Sequence, residues 1–331
     1  MKDVVYAAIF SLVLTIVVGK IILPLLERLK FGQQIRDDGP SSHLKKAGTP
    51  TMGGIMFLIP LFIVSYIFSS KSLDFITAAI LVSIGYSLIG LIDDYIMIGM
   101  KRSLGLRAYQ KIAAQIFISV IFALYAYRHP DIGSSIYIPF SGDELELGIW
   151  YIPFVVFVLL GTVNSTNLTD GLDGLLSSVS IIVAATLGVI ALFASKKAYD
   201  EGLVYVSANY ENLVVFAATL VGGCLGFLYY NAHPAKVFMG DTGSFGIGGA
   251  IVAMVILLKL PLLLPIIGGI YMIESLSVIV QVVSFKLTGK RVFKMSPLHH
   301  HFELKGMKET EVVTMFVIIT MILCLIGLLI V

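Results

Sequence analysis

F-I-T-A-A-I-L-V-S-I-G-Y-S-L-I-G-L-I-D-D-Y-I-M, residues 75–97, decides the fold. No charge interrupts it from Phe75 to Ile92, and it then ends in two adjacent acids, Asp93 and Asp94. About 20 mainly apolar residues cross a bilayer, so the stretch reads as a membrane span with its acids at one surface. Comparable runs occupy 4–26, 52–70, 110–128, 149–166, 172–194, 212–231, 242–260, 262–285 and 311–331. The chain is expected to be an all-α integral membrane protein of about ten transmembrane helices.

Composition agrees. Of 331 residues, 57% are apolar and only 13% charged, against ~25% charged in soluble proteins. A net charge of +2 gives no reason to expect a nucleic-acid partner. Cys224 and Cys324 lie inside apolar runs and read as small core residues. The run 4–26 lacks a small-residue cleavage site and reads as a span, not a signal peptide. Residues 1–331 form one polytopic domain, with no soluble domain, internal repeat or low-complexity tract.

Positive charge sets the orientation. Of 23 Lys and Arg, 16 lie in 27–51, 98–111, 232–241 and 286–310. Those loops and 166–173 are therefore expected in the cytoplasm, with both termini outside. The acidic segment near 132–148, with Ile136-Tyr137-Ile138 inside it, reads as a small outer β-hairpin. The break at Lys259-Leu260-Pro261 is a tight turn, and Gly268-Gly269 marks a bend or break in the ninth span.

Ionisable groups in spans are costly and mark function. Asp93 and Asp94 end the third span, Asp170 and Asp173 join the fifth to the sixth, and Asp241 opens the eighth. On this topology all five reach the same cytoplasmic surface. Each has a plainer reading as a solvated helix end or an N-cap, with Asp173 in a first helical turn. Gathered together they would repel unless a cation sat among them, and carboxylates favour Mg²⁺ or Mn²⁺. Lys45, Lys46, Lys101, Arg102, Arg107, Lys111, Lys236, Lys290 and Arg291 share that face, some as lipid-headgroup anchors. Carboxylates ringed by Lys and Arg suit a phosphate-rich substrate. His299-His300-His301 form a loop whose members suit contact with phosphate or bound substrate better than a three-His metal site. Glu274 and Gln281, deep in the ninth span, are expected to face the bundle interior or a cavity.

Five stretches carry a resemblance: G-T-P-T-M-G-G at 48–54, I-D-D-Y at 92–95, N-L-T-D-G-L-D-G at 167–174, N-A-H-P-A-K-V-F-M-G-D-T-G-S at 231–244 and P-L-H-H-H-F-E at 297–303. In this order they resemble the phospho-N-acetylmuramoyl-pentapeptide transferase family, within the polyprenyl-phosphate N-acetylhexosamine-1-phosphate transferases. The resemblance implies a Mg²⁺-dependent enzyme of the bacterial inner membrane, commonly a homodimer, with its site on the cytoplasmic face. It would move phospho-MurNAc-pentapeptide from UDP-MurNAc-pentapeptide to undecaprenyl phosphate, making a lipid-linked peptidoglycan precursor and UMP.

It further implies Asp241 as metal ligand and Asp93 and Asp94 at the lipid phosphate. A nucleoside pocket would comprise Asn167, Asp170, Asn231, Phe238 and Gly240. Lys46, Lys101 and Lys111 become substrate candidates, as do Asp173, Gln281, His300 and His301, with His299 a catalytic candidate. Met97 and Tyr109 stand where family members often carry a base, and N-S-T-N at 164–167 replaces the commoner N-A-V-N, a change expected to be tolerated. Two rivals remain at this stage: a transferase using UDP-N-acetylglucosamine, which the His loop argues against, and an ion-coupled transporter, which would need acids deep in the membrane.

Overall fold

A computed structural model describes residues 2–28, 46, 48–69, 73–99 and 105–330. The expected candidates Lys45, Lys101 and Arg102 lie outside them. Twelve α-helices are described: α1 Lys2–Arg28, α2 Ile55–Phe68, α3 Asp74–Gly99, α4 Ala108–Arg128, α5 Tyr151–Thr169, α6 Leu175–Asp200, α7 Val204–Asn231, α8 Gly240–Leu257, α9 Leu264–Ile267, α10 Gly269–Thr288, α11 Leu298–Glu303 and α12 Glu309–Ile330. Among the described residues, nine helices are long and apolar enough to cross a membrane. The second expected span, α2, is shorter at 14 residues. Its predicted first turn is irregular because residues 50–54 pair with another loop instead.

The ninth expected span is broken where its glycines stand. α9 ends at Gly268, and α10 restarts at Gly269. The expected hairpin also forms, as β1 Ser135–Tyr137 antiparallel to β2 Glu144–Glu146, with Ile136 opposite Leu145. Tyr137 N–H donates to the carbonyl of Lys259 at 2.9 Å, tying the hairpin to the turn after α8. Both cysteines are buried and free.

α8 is the centre. All its residues from Thr242 to Leu257 are buried, and between helices in lipid, close approach depends on small side chains. G-x-x-G-S-F-G-I-G-G-A supplies them along two sides. A Cβ on Gly246 would meet Ser87 of α3, one on Gly249 would meet Tyr86 of α3, and one on Gly248 would meet Val163 and Thr166 of α5. The Thr166 hydroxyl donates to the Ser244 carbonyl at 3.0 Å, so the second substituted position in N-S-T-N joins α5 to α8. Ser165 satisfies its own hydroxyl on Gly161 of the same helix.

At the N-terminal end of α8 the backbones nearly touch. A Cβ on Gly54 would lie 2.3 Å from Gly243 Cα, and one on Gly90 would lie 2.2 Å from the Asp241 carbonyl oxygen. Gly90→Ala must therefore push α3 from α8. It should cost about 1–3 kcal/mol, the usual range for overpacking, and lower the thermal midpoint in detergent. Gly161→Ala, where nothing lies within 4 Å of the added Cβ, should be neutral or stabilising.

Candidate functional site

α3, α4, α5 and α8 meet at one end of the bundle. Asp94, at the close of α3, turns its carboxylate onto the first turn of α8. It accepts the Asp241 N–H at 3.2 Å, the Thr242 N–H at 3.0 Å and the Thr242 hydroxyl at 2.7 Å. Helix N-termini leave N–H groups unpaired and favour negative charge, so Asp94 caps α8 from another helix. The plainer reading of Asp241 as an N-cap does not hold, because Asp241 stands inside the first turn of α8. Gly240 has φ +75°, the backbone turn that lets Asp241 enter the helix there.

Asp93 faces the other way. It accepts Leu106 N–H at 2.7 Å, an approach open only because Gly105 has no Cβ to strike it. Its second oxygen takes the Lys111 ammonium at 2.9 Å, and the same ammonium lies 2.8 Å from Asp241 Oδ2. Lys111 thus bridges two carboxylates that would otherwise repel, with its charge 5.3 Å from the Phe245 ring centroid. Asp241 Oδ1 accepts Asn167 Nδ2–H at 2.7 Å. Asn167 also donates to Ser244 Oγ at 3.0 Å, so its amide orients Asp241.

Asp170 and Asp173 take different roles. α6 starts with Gly174 in the left-handed region and without a side-chain cap. Asp170 is instead the C-cap of α5, so its plainer reading as an N-cap does not hold. Burial, then the charges of Asp241, Asp94 and Asp173, hold its pKa well above the ordinary carboxylate value, against the Gly240 N–H that favours its ionised form. Asp173 accepts Lys46 at 2.7 Å and Ala235 N–H at 3.0 Å, with His233 Nδ1 3.1 Å away. Lys46 is also 2.6 Å from Glu309. Lys46 is therefore at the same end of the bundle as the acidic pair but held by Asp173 and Glu309.

Other candidates hold the loops. Asn231 is buried, its oxygen accepting Gly174 N–H and its amide donating to the Val237 carbonyl. Phe238 is half-buried, and its backbone pairs with Pro50 and Gly53. Gln281 grips the backbone of Val292 and Phe293 through both ends of its amide, so it holds the loop that follows α10. Glu274 accepts the Leu298 and His299 N–H groups, capping α11. His299 is buried beside it, 3.2 Å from Glu274 and packed where a Cβ on Gly171 would sit. That makes His299 an internal contact between the His loop and 170–174. His300 pairs with Glu303 at 3.0 Å. His301 accepts Lys294 N–H, and slight burial followed by Lys305 and Lys294 lowers its pKa.

Sequence reasoning missed Gly105, His233 and Glu309. His233 stands inside a quoted motif, whereas Glu309 looks like any acid opening a helix.

Comparison with known proteins gives the class first. Residues 76–259 match the model of Glycosyl transferase family 4, and residues 46–58 match Phospho-N-acetylmuramoyl-pentapeptide-transferase signature 1. A protein of that name from Clostridium kluyveri is 50% identical over 327 residues, 99% of each chain. Namesakes from Clostridium novyi and Caldanaerobacter subterraneus are 48% and 49% identical, covering 99% and 97% of this chain and 96% of their own. The chain belongs to the phospho-N-acetylmuramoyl-pentapeptide-transferase family. Glu274, Gln281, the three His and Glu309 all lie outside both matched segments.

Asp170 generates a signed prediction. A carboxyl with a raised folded pKa binds protons more readily folded than unfolded, so it opposes folding once pH exceeds its unfolded pKa, about 4. Asp170→Asn should raise the melting temperature at pH 7, with the gain vanishing as pH falls toward that value. Equal melting curves at pH 7 would refute the burial of this charge.

Proposed function

We propose that this protein transfers phospho-N-acetylmuramoyl-pentapeptide from UDP-MurNAc-pentapeptide to undecaprenyl phosphate, at the cytoplasmic face of a bacterial membrane, releasing UMP. The observation that carries this reading is the Asp93–Lys111–Asp241 bridge at one end of a membrane bundle of this family. A lipid phosphate and a nucleotide diphosphate can meet only at such a surface. α3 and α4 also expose Leu88, Ile92, Tyr95, Tyr109 and Ile112 beside it, apolar enough for a polyprenyl tail.

An oxygen of the lipid phosphate bonds to the β-phosphorus of the donor, and the bond from that phosphorus to the bridging oxygen breaks, so UMP leaves with the electron pair. Phosphate has its second pKa near 6, so little proton remains for a base to take at pH 7. Positioning and charge should matter more. Asp93, not Asp94, is the acid of the pair placed beside the acceptor, because both oxygens of Asp94 are committed to α8. Asn167 keeps Asp241 aimed outward.

The donor set fits Mg²⁺: two carboxylate oxygens already share one cation, the Lys111 ammonium. Asp241, with Asp93, would hold the ion, and a cation there would supply neutralisation of diphosphate charge. Asp170 and Phe238 then lie on the loops suited to the nucleoside. The transporter reading loses its main support, since Glu274 caps α11.

UMP release from UDP-MurNAc-pentapeptide should require undecaprenyl phosphate and stop on chelation of divalent ions. UDP-N-acetylglucosamine should give none; turnover of that nucleotide instead would move the protein to the rival activity. Asp241→Asn should lower kcat at least about 100-fold, or about 2.7 kcal/mol, while the protein stays folded. Phe238→Ala should raise KM for the UDP-sugar about 5- to 150-fold, from about 1–3 kcal/mol per stacked base. An unchanged KM would put the base elsewhere.

A further inference from the structure

Four segments distant in sequence converge beside the proposed site without touching Asp93 or Asp241. Lys46 comes from the stretch leading to α2, Asp173 from the α5–α6 junction, His233 from the α7–α8 loop and Glu309 from the first turn of α12. Glu309 Oε1 lies 2.6 Å from the Lys46 ammonium and accepts the Asp173 N–H at 2.7 Å. Its other oxygen is 3.4 Å from His233 Nδ1. The Glu309 side chain is only 9% exposed. One nearly buried carboxylate therefore contacts all three of the other segments.

These are the segments that carry Asp170, Phe238 and the start of the family signature. Bonds between a carboxylate and an ammonium or N–H are stronger than neutral ones. Removing one partner leaves the other buried and uncompensated. Without Glu309, Lys46 keeps Asp173, but the Asp173 N–H and the start of α12 lose their tie.

We propose that Glu309 is a positioning residue: through Lys46 and the Asp173 backbone it fixes the loops that bind the nucleotide. Glu309 itself lies outside both matched family segments, while its three partners lie within them. The inference rests on the transferase reading, so wild-type turnover is measured first; its failure would count against that reading and not against the clamp.

With wild-type turnover in hand, Glu309→Gln keeps an acceptor for the Asp173 N–H but removes the charge from Lys46. It should raise KM for UDP-MurNAc-pentapeptide about 10-fold, equivalent to about 1.4 kcal/mol, leaving kcat and KM for the lipid within about threefold. Glu309→Asp, which keeps the charge on a shorter stem, should recover part of the loss. The Lys46→Met/Glu309→Gln double variant should be little worse than Lys46→Met alone, because both act through one contact. A KM unchanged in Glu309→Gln would overturn the proposal. So would losses that multiply in the double variant, or a fall in kcat alone. If Glu309→Gln does not fold, Glu309→Asp with the same KM readout decides.

Discussion

The Asp94 carboxylate on the first turn of α8 is the interaction on which the rest depends. α8 is buried from Thr242 onward, so its leading N–H groups have little water to turn to, and a buried donor left unpaired costs about 1–3 kcal/mol. A charged acceptor from α3 satisfies them and sets how far α3 can slide along α8. Gly90, Gly54 and Gly243 then bring three backbones together at that point. Asp241 projects from a turn whose position is fixed on every side.

The acids of this end of the bundle divide accordingly into two kinds. Asp94 and Glu274 face inward and cap helices, α8 and α11. Asp93 and Asp241 share a cation at the surface, and burial with neighbouring acids raises the pKa of Asp170. On the proposed reading chemistry belongs to the second kind, and the first holds its geometry. Gln281 and Asn231 extend the inward group, each using both ends of an amide to hold loop backbone.

Much of this was legible in the sequence. Length and lack of charge mark the spans, because a bilayer imposes a minimum apolar run that no soluble helix needs. The hairpin at 135–146 and the break at Gly268 follow from turn and glycine chemistry. Convergence of Asp93, Asp170, Asp173 and Asp241 followed from topology alone. The division of labour did not. Asp94 finds its donors 147 positions away, and nothing local distinguishes it from Asp93. Asp170 looked like an N-cap because an acid before a helix usually is one; here α6 begins later, on a left-handed glycine. Glu309 gave no signal, since its partners come from three other loops.

The Lys111 bridge carries one further consequence. Lys111 lies within 2.9 Å of both Asp93 and Asp241, so the repulsion between the two acids is relieved by a cation tethered to the same surface. On the proposed reading, a divalent ion bound between them would not meet two bare carboxylates but would displace that ammonium. Binding would then be an exchange of counter-ions at the acid pair. The tether would hold the displaced group at a high effective concentration, so affinity for the ion would be set by a competition inside the protein.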